Sequence, residues 1–319
     1  MTVSTEMAET PRASHRVPDF FIVGHAKSGT TALYEMLRHH PEIYMPELKE
    51  PRFLASDLRV HFEPTRRNGL PQTMEEYLAL FDGAAPEQQA GEATPSYLRS
   101  AAAPAAIAAL QPQARIIAIL REPASFVRSL HLHLLQEQVE KESDLRRAFA
   151  TEEIVREGQR VLRYSDHVRY VEQLRRYHAA FPAEQVLVLI YDDYRRDNEA
   201  TVRQVLRFLE VDDTVPVPPR VLNTAVGVRS KRMHAAVQAL EAGSGPVGGV
   251  LKATIKAATT AELRRGARAL QRRVVLGAPP PSDEELMGEL RSRFRDEVVA
   301  LSEYLDRDLV TLWGYDGLD

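Results

Sequence analysis

Phe20-Phe21-Ile22-Val23-Gly24-His25-Ala26-Lys27-Ser28-Gly29-Thr30-Thr31 carries four apolar residues rich in β-formers into a glycine-bounded turn, and Leu33, Tyr34 and Leu37 follow at helical spacing. The order reads as strand, anion-cradling loop and helix N-terminus. Backbone N–H groups of such a loop and the positive end of the helix dipole draw in a phosphate-like group. Lys27 adds a point charge, and the hydroxyls of Ser28, Thr30 and Thr31 add donors.

This is not an ordinary triphosphate loop. In the Walker pattern a Gly-Lys-Ser/Thr sequence closes a longer glycine-bounded span. Here Lys27 stands only three residues after Gly24, with Gly29-Thr30-Thr31 behind it. On this stretch alone, a tight strand-to-helix turn with a solvated lysine remains open.

The chain has 319 residues, 44% hydrophobic and 27% charged, the balance of an ordinary soluble globular protein. A net charge of −4 argues against a general nucleic-acid binder, so any basic site must be local. The absence of cysteine excludes disulfides, thiolate zinc sites and cysteine nucleophiles. No apolar run approaches the roughly 18 residues of a membrane span. Residues 1–17 are polar, lack the apolar middle of a secretory signal, and are expected to form a disordered leader to a cytoplasmic protein.

Further along, Arg115 to Leu120 is a continuous apolar run of the kind buried on both faces of a parallel sheet, and Val186 to Tyr191 reads as a third buried strand. Helical spacing is expected over Met74–Phe81, Ala101–Leu110, Glu199–Leu209 and Glu284–Tyr304. Ile43 to Pro51 reads as irregular chain, and Gly91-Glu92-Ala93-Thr94-Pro95-Ser96-Tyr97 as a turn-rich connector. Asp144 to Ala180 reads as charged and helical, with Tyr164, Val168 and Val171 at core spacing. Strands separated by helices give parallel βαβ units. The expected fold is therefore α/β, three-layered, with a mainly parallel central sheet flanked by helices and a P-loop-like first turn. Residues 18–319 are expected to be one domain, with a basic helical insertion around 247–277 (Lys252, Lys256, Arg264, Arg265, Arg268, Arg272, Arg273) whose simplest reading is a solvated face.

Arg121 follows the second strand, and Ser129 lies eight residues on, along the next helix. Ligands of open α/β sheets bind outside the carboxyl ends of strands, where both Arg121 and the Lys27 loop belong. A planar guanidinium with a nearby hydroxyl suits a phosphate monoester. A structural ion pair for Arg121 is the plain alternative. Two anion sites at two strand ends suggest a ligand with two separated anionic groups.

The loop Ala26-Lys27-Ser28-Gly29-Thr30-Thr31, Arg121-Glu122-Pro123 with Ser129, and Gly91-Glu92-Ala93-Thr94-Pro95 between them resemble the 3′-phosphoadenosine 5′-phosphosulfate (PAPS)-dependent sulfotransferases, in particular the heparan-sulfate-type and bacterial branch. The similarity runs from about Asp19 to Tyr191, with the closing helix and Trp313. The resemblance implies that Ala26 to Thr31 form the 5′-phosphosulfate loop and that Arg121 and Ser129 bind the 3′-phosphate. It implies PAPS as donor, PAP as product and no required metal. Glu50, in Lys49-Glu50-Pro51-Arg52-Phe53, falls where heparan-type enzymes carry a glutamate as general base. Arg229 and Lys231 match a late loop that closes over the nucleotide. Ala93 departs from the pattern, because a lysine often stands there near the substrate; that weakens the expectation of a polyanionic carbohydrate acceptor, and Lys49 is the neighbouring charge available to compensate.

On this reading Lys27 stabilises the leaving phosphate and Glu50 takes the proton of an acceptor hydroxyl on a small molecule or glycan. No nucleic-acid partner and no stable membrane insertion are expected. A P-loop small-molecule kinase and a non-catalytic nucleotide-binding module are the competing readings. His25 and one of His131 and His133 are secondary candidates for contact with the reacting group. Tyr97 and Phe53 are either pocket walls or core.

Overall fold

Strand β1 (Phe20–Gly24) has no solvent-exposed residue, and its side chains alternate between two cores: Phe21 and Val23 join one apolar cluster, Phe20 and Ile22 the other. A sheet with both faces covered is what a continuous apolar run requires. In this computed structural model the described residues are 15–59, 69–137, 139–151, 154–156, 159–216, 227–228, 276–277 and 281–317. Most of the expected leader and nearly all of the basic 247–277 stretch lie outside them. His15 and Arg16 are already tied down, to Asp82 and to Asp19 and Gln88.

From β1 the chain enters α1 (Thr30–Leu37), the short strand β2 (Ile43–Tyr44), α2 (Ser56–Arg59), α3 (Met74–Leu78), β3 (Gln89–Ala93), α4 (Ala103–Leu110), β4 (Arg115–Leu120) and α5 (Pro123–Gln136). Then come α6 (Leu145–Thr151), an antiparallel hairpin of β5 (Ile154–Arg156) and β6 (Gln159–Leu162), α7 (Tyr170–Ala180), β7 (Val186–Ile190), α8 (Tyr191–Arg196) and α9 (Asn198–Phe208). Two-residue strands β8 (Gly227–Val228) and β9 (Leu276–Gly277) pair antiparallel, and α10 (Glu284–Tyr304) and α11 (Leu309–Trp313) close the described chain.

The central sheet is five-stranded and parallel, in the order β2-β3-β1-β4-β7. The connections from β1 run to one side of it and those from β4 to the other. The carboxyl ends of these two neighbours therefore flank the topological switch point, where such sheets hold ligands. Lys27 follows β1, and Arg121 follows β4.

Three expectations are corrected. The Gly91–Tyr97 stretch is largely strand β3 plus a 3-10 turn over Pro95–Tyr97, not a connector. Its small residues reflect packing, since a Cβ on Gly91 would lie 2.1 Å from the ring of Phe20. The Ile43–Pro51 stretch contains β2, an edge strand. The 144–180 stretch is broken by the β5–β6 hairpin, although Tyr164, Val168 and Val171 are buried as expected. Strand β7 exists, but at the sheet edge its first three residues are only half-buried.

Candidate active site

Gly24 turns the chain out of β1 at φ 141°, and a Cβ there would meet the Ile119 carbonyl oxygen at 2.7 Å, so only glycine fits against β4. Gly29, at φ 88°, caps α1, whose first turn carries no acidic residue and no side-chain cap. Free N–H groups thus face the loop. Lys27 itself is left-handed, at φ 69°. Ser28 and Thr30 are buried, Ala26 and Gly29 half-buried, and Thr31 exposed.

Glu122 caps α5 by accepting from the Ala124 and Ser125 amides, and Tyr315 donates to the same carboxylate at 2.6 Å. That fixes Arg121 at the mouth of β4. Its Nη1 donates to the Lys27 carbonyl at 2.9 Å and its Nε to Ser125 Oγ at 3.1 Å, while the guanidinium lies 4.8 Å from the Tyr191 ring centroid. Tyr170 donates to the Arg121 carbonyl at 2.8 Å. The two expected anion sites are thus joined by a direct bond. Burial lowers the pKa of Lys27, and the charge of Arg121 lowers it further; burial also lowers that of Arg121. Two desolvated cations side by side create a field that an anion would relieve. The hydroxyls of Ser28 (0% exposed), next to Lys27, and of Ser129 (3% exposed), on the helix that follows Arg121, have no hydrogen-bond partner among the described residues.

Glu50 lies at the end of β3, the other neighbour of β1, where its N–H donates to the Ala93 carbonyl at 3.1 Å. Its backbone is left-handed (φ 60°), as is that of Arg52 (φ 55°). The carboxylate sits between Lys49 Nζ, at 3.1 Å, and the Arg52 guanidinium. Burial pushes its pKa up, but the two cations outweigh that and hold it below the usual carboxylate value. It is therefore ionised at neutral pH.

The secondary candidates fare differently. His25 is wedged between Phe126 and Tyr170, with ring centroids at 4.7 and 4.9 Å; burial, then the charge of Arg99, pushes it down to about 3, so it is neutral and carries no charge to a sulfuryl group. His131 is held by Tyr164 Oη at 2.9 Å and donates through Nε2 to the Ser143 carbonyl at 3.3 Å, a structural tie. Tyr97 is fully buried, and Phe53 stacks on Tyr77 at 4.9 Å, so packing is the role seen for both. Arg229 and Lys231 lie outside the described residues. Sequence reasoning missed Ser125 and Tyr191, which both touch Arg121; a hydroxyl one helical turn after the arginine was the available signal. It also missed Glu92, buried in β3 inside what read as a turn. Among the described residues no group of His, Asp or Glu side chains is placed to hold a metal, and no helix is long and apolar enough to cross a membrane.

The family model described as "Sulfotransferase family" matches residues 18–215. Human carbohydrate sulfotransferase 15 is 44% identical over 72 residues, 22% of this chain and 12% of that protein. Human bifunctional heparan sulfate N-deacetylase/N-sulfotransferase 3 is 27% identical over 208 residues, 61% of this chain and 22% of that protein. The matches thus span under a quarter of the length of these two relatives. A crystal structure of a sulfotransferase from Alicyclobacillus acidocaldarius superposes with a TM-score of 0.67 at 24% identity, over 93% of this chain and 98% of that one, which establishes the shared fold. With a family match over residues 18–215 and the parallel sheet in place, the chain belongs to the sulfotransferase family, enzymes of sulfuryl transfer.

Proposed function

We propose that this chain moves the sulfuryl group of PAPS to a hydroxyl of a glycan or small-molecule acceptor by in-line displacement. The observation that carries the reading is the pair of buried hydroxyls, Ser28 next to Lys27 and Ser129 on the helix that follows Arg121, neither with a hydrogen-bond partner among the described residues, together with the bond that joins Arg121 to the Lys27 carbonyl at adjacent strand ends. Such a donor set suits two anionic groups held apart on one nucleotide. When bound, PAPS supplies an activated sulfuryl group on its 5′-phosphate and a 3′-phosphate as a second anchor. Lys27, Ser28 and the free N–H groups at the start of α1 hold the charge that develops on the 5′ side. Arg121 offers its fork, and Ser129 its hydroxyl, to the 3′ side. Glu50 takes the acceptor proton, with Lys49 and Arg52 keeping it ionised beforehand. The names of the carbohydrate and heparan sulfate relatives favour a sugar hydroxyl as acceptor.

The test has two arms. PAP without magnesium is expected to raise the melting temperature, and magnesium-ATP to leave it little changed; the reverse result would favour a kinase. Labelled sulfuryl transfer from PAPS to p-nitrophenol, N-acetylglucosamine oligosaccharides and an alkylamine then identifies the acceptor class. Glu50→Gln is expected to keep PAP affinity and lower turnover by about 100-fold or more. Near-normal turnover in that variant removes Glu50 from the base role.

A further inference from the structure

Residues 50–54 form a short segment whose backbone turns left-handed twice, at Glu50 and at Arg52. It docks at nearly every residue on one platform. Glu50 N–H donates to the Ala93 carbonyl at 3.1 Å, Arg52 N–H to Thr94 Oγ1 at 3.4 Å, and Leu54 N–H to Tyr97 Oη at 3.0 Å. Phe53 stacks on Tyr77, with the rings 14° from parallel. Under this platform lies Glu92, 0% exposed, on the strand that pairs with β1. Its Oε2 accepts from Tyr77 at 2.5 Å and from Tyr97 at 3.1 Å.

The chemistry of a phenol makes that arrangement directional. A tyrosine hydroxyl has one proton, so by donating it to Glu92, Tyr97 must turn a lone pair outward, and Leu54 N–H meets that lone pair. The same carboxylate fixes Tyr77, against which Phe53 stacks. No lysine or arginine makes an ion pair with Glu92 among the described residues, so its charge is not cancelled nearby. The other groups that face it are Thr94 at the end of β3, Tyr177 from α7, and Glu50 itself.

We propose that Glu92 is a positioning residue for sulfuryl transfer: through Tyr77 and Tyr97 it holds the strained 50–54 segment that carries Glu50, and it sets a second, buried carboxylate facing that of Glu50. The inference rests on Glu50 being the base. Lys49 and Arg52 keep Glu50 ionised but weaken it as a base; an ionised Glu92 works in the opposite direction. Burial pushes the Glu92 carboxyl up to about 7, against the hydrogen bonds it receives and with help from the charge of Glu50. Glu92 therefore changes charge near neutrality, and Glu50 becomes the stronger base on the alkaline side.

The experiment compares wild type, Glu92→Gln, Tyr97→Phe and Glu50→Gln, reading PAP release from PAPS against pH with p-nitrophenol and with a desulfated heparan tetrasaccharide. Glutamine keeps an acceptor oxygen for both tyrosines, removes the charge and puts an NH2 donor in place of Oε1, so the melting temperature of Glu92→Gln is read alongside its activity. Glu92→Gln is expected to lose about five- to tenfold in kcat at pH 8, keep the KM for PAPS, and lose the inflection near pH 7 seen in wild type. Tyr97→Phe, which strands Leu54 N–H, is expected to lower kcat at every pH and keep that inflection. Carbon-13 spectra of labelled glutamate, with Glu92→Gln to assign the signal, are expected to show Glu92 titrating near pH 7 in wild type and at lower pH in Glu50→Gln, because the charge of Glu50 helps hold it up. If Glu50→Gln is inactive while Glu92→Gln keeps the wild-type pH profile, the role of Glu92 is overturned and that of Glu50 stands. If Glu50→Gln is active, the base assignment and the role of Glu92 go together.

Discussion

Arg121→Ala tests whether the nucleotide is held at two points. The guanidinium makes two bonds inside the protein, to the Lys27 carbonyl and to Ser125 Oγ, and keeps further N–H donors for a ligand. A charge-assisted bond to a 3′-phosphate contributes about 1.5–3 kcal/mol, which at 1.4 kcal/mol per decade is roughly 10- to 150-fold in Kd. Losing the bond to the Lys27 carbonyl loosens the loop by about 1 kcal/mol for any nucleotide. The informative quantity is therefore the ratio of affinities for PAP and for adenosine 5′-phosphate, which lacks the 3′ group. Titration calorimetry at fixed ionic strength should show that ratio falling by about tenfold or more. Arg121→Lys should fall between, because a lysine keeps charge but loses the fork and its seat over the Tyr191 ring. Equal losses for both nucleotides would refute the 3′ assignment and leave Arg121 as a brace for the Lys27 loop.

Two further expectations concern β1 and its loop. Lys27→Met should lower kcat by about 10²- to 10³-fold, as loss of one preorganised charge-stabilising donor does, with a smaller effect on PAP binding in the same calorimeter. His25, pushed down to about 3 in the fold against an ordinary 6.5, sets an acid limit on stability. Between those values the unfolded chain takes a proton that the folded chain refuses, so stability falls as pH drops through that window, by up to about 1.4 kcal/mol per unit. His167 acts in the same direction and Glu92, whose folded value is raised, in the opposite one, so the contribution is read as a difference. Urea unfolding at pH 4.5, 5.5 and 7 should give a shallower pH slope for His25→Asn than for wild type; parallel slopes would show that His25 is not the group responsible.

What could be read in the sequence follows from how each element is stabilised. Strands β1 and β4 are buried on both faces, so their apolar runs announce them, and the turn after β1 carries its own glycine requirements. That Arg121 follows a strand and Ser129 lies on the next helix was readable from the apolar run of β4 and the proline that opens α5. Strand β3 was hidden because tertiary packing selected its residues: Gly91 makes room for Phe20 and Met45, and Glu92 satisfies two tyrosines distant in sequence. A buried carboxylate among small residues has the composition of a turn, and no local pattern distinguishes the two. The seating of Glu50 was equally invisible, since it depends on hydrogen bonds to Ala93 and Thr94 across the fold.

The backbone offers an argument for the site that owes nothing to charge. Among the described residues, five non-glycine positions have left-handed φ: Lys27, Glu50, Arg52, Glu210 and Asp306. Glu210 and Asp306 each follow the last turn of a helix, α9 and α10, where a left-handed residue ends the helix in the usual way. The other three end no helix. Each carries a strain of about 1–3 kcal/mol that glycine would relieve at once. A chain that places glycine at 24, where only glycine fits, and at 29 in the same loop holds a lysine at 27 and a glutamate at 50 against that gradient. The side chains must then supply something the backbone does not, and on the proposed reading their positions at the carboxyl ends of β1 and β3 serve the sulfuryl donor and its acceptor.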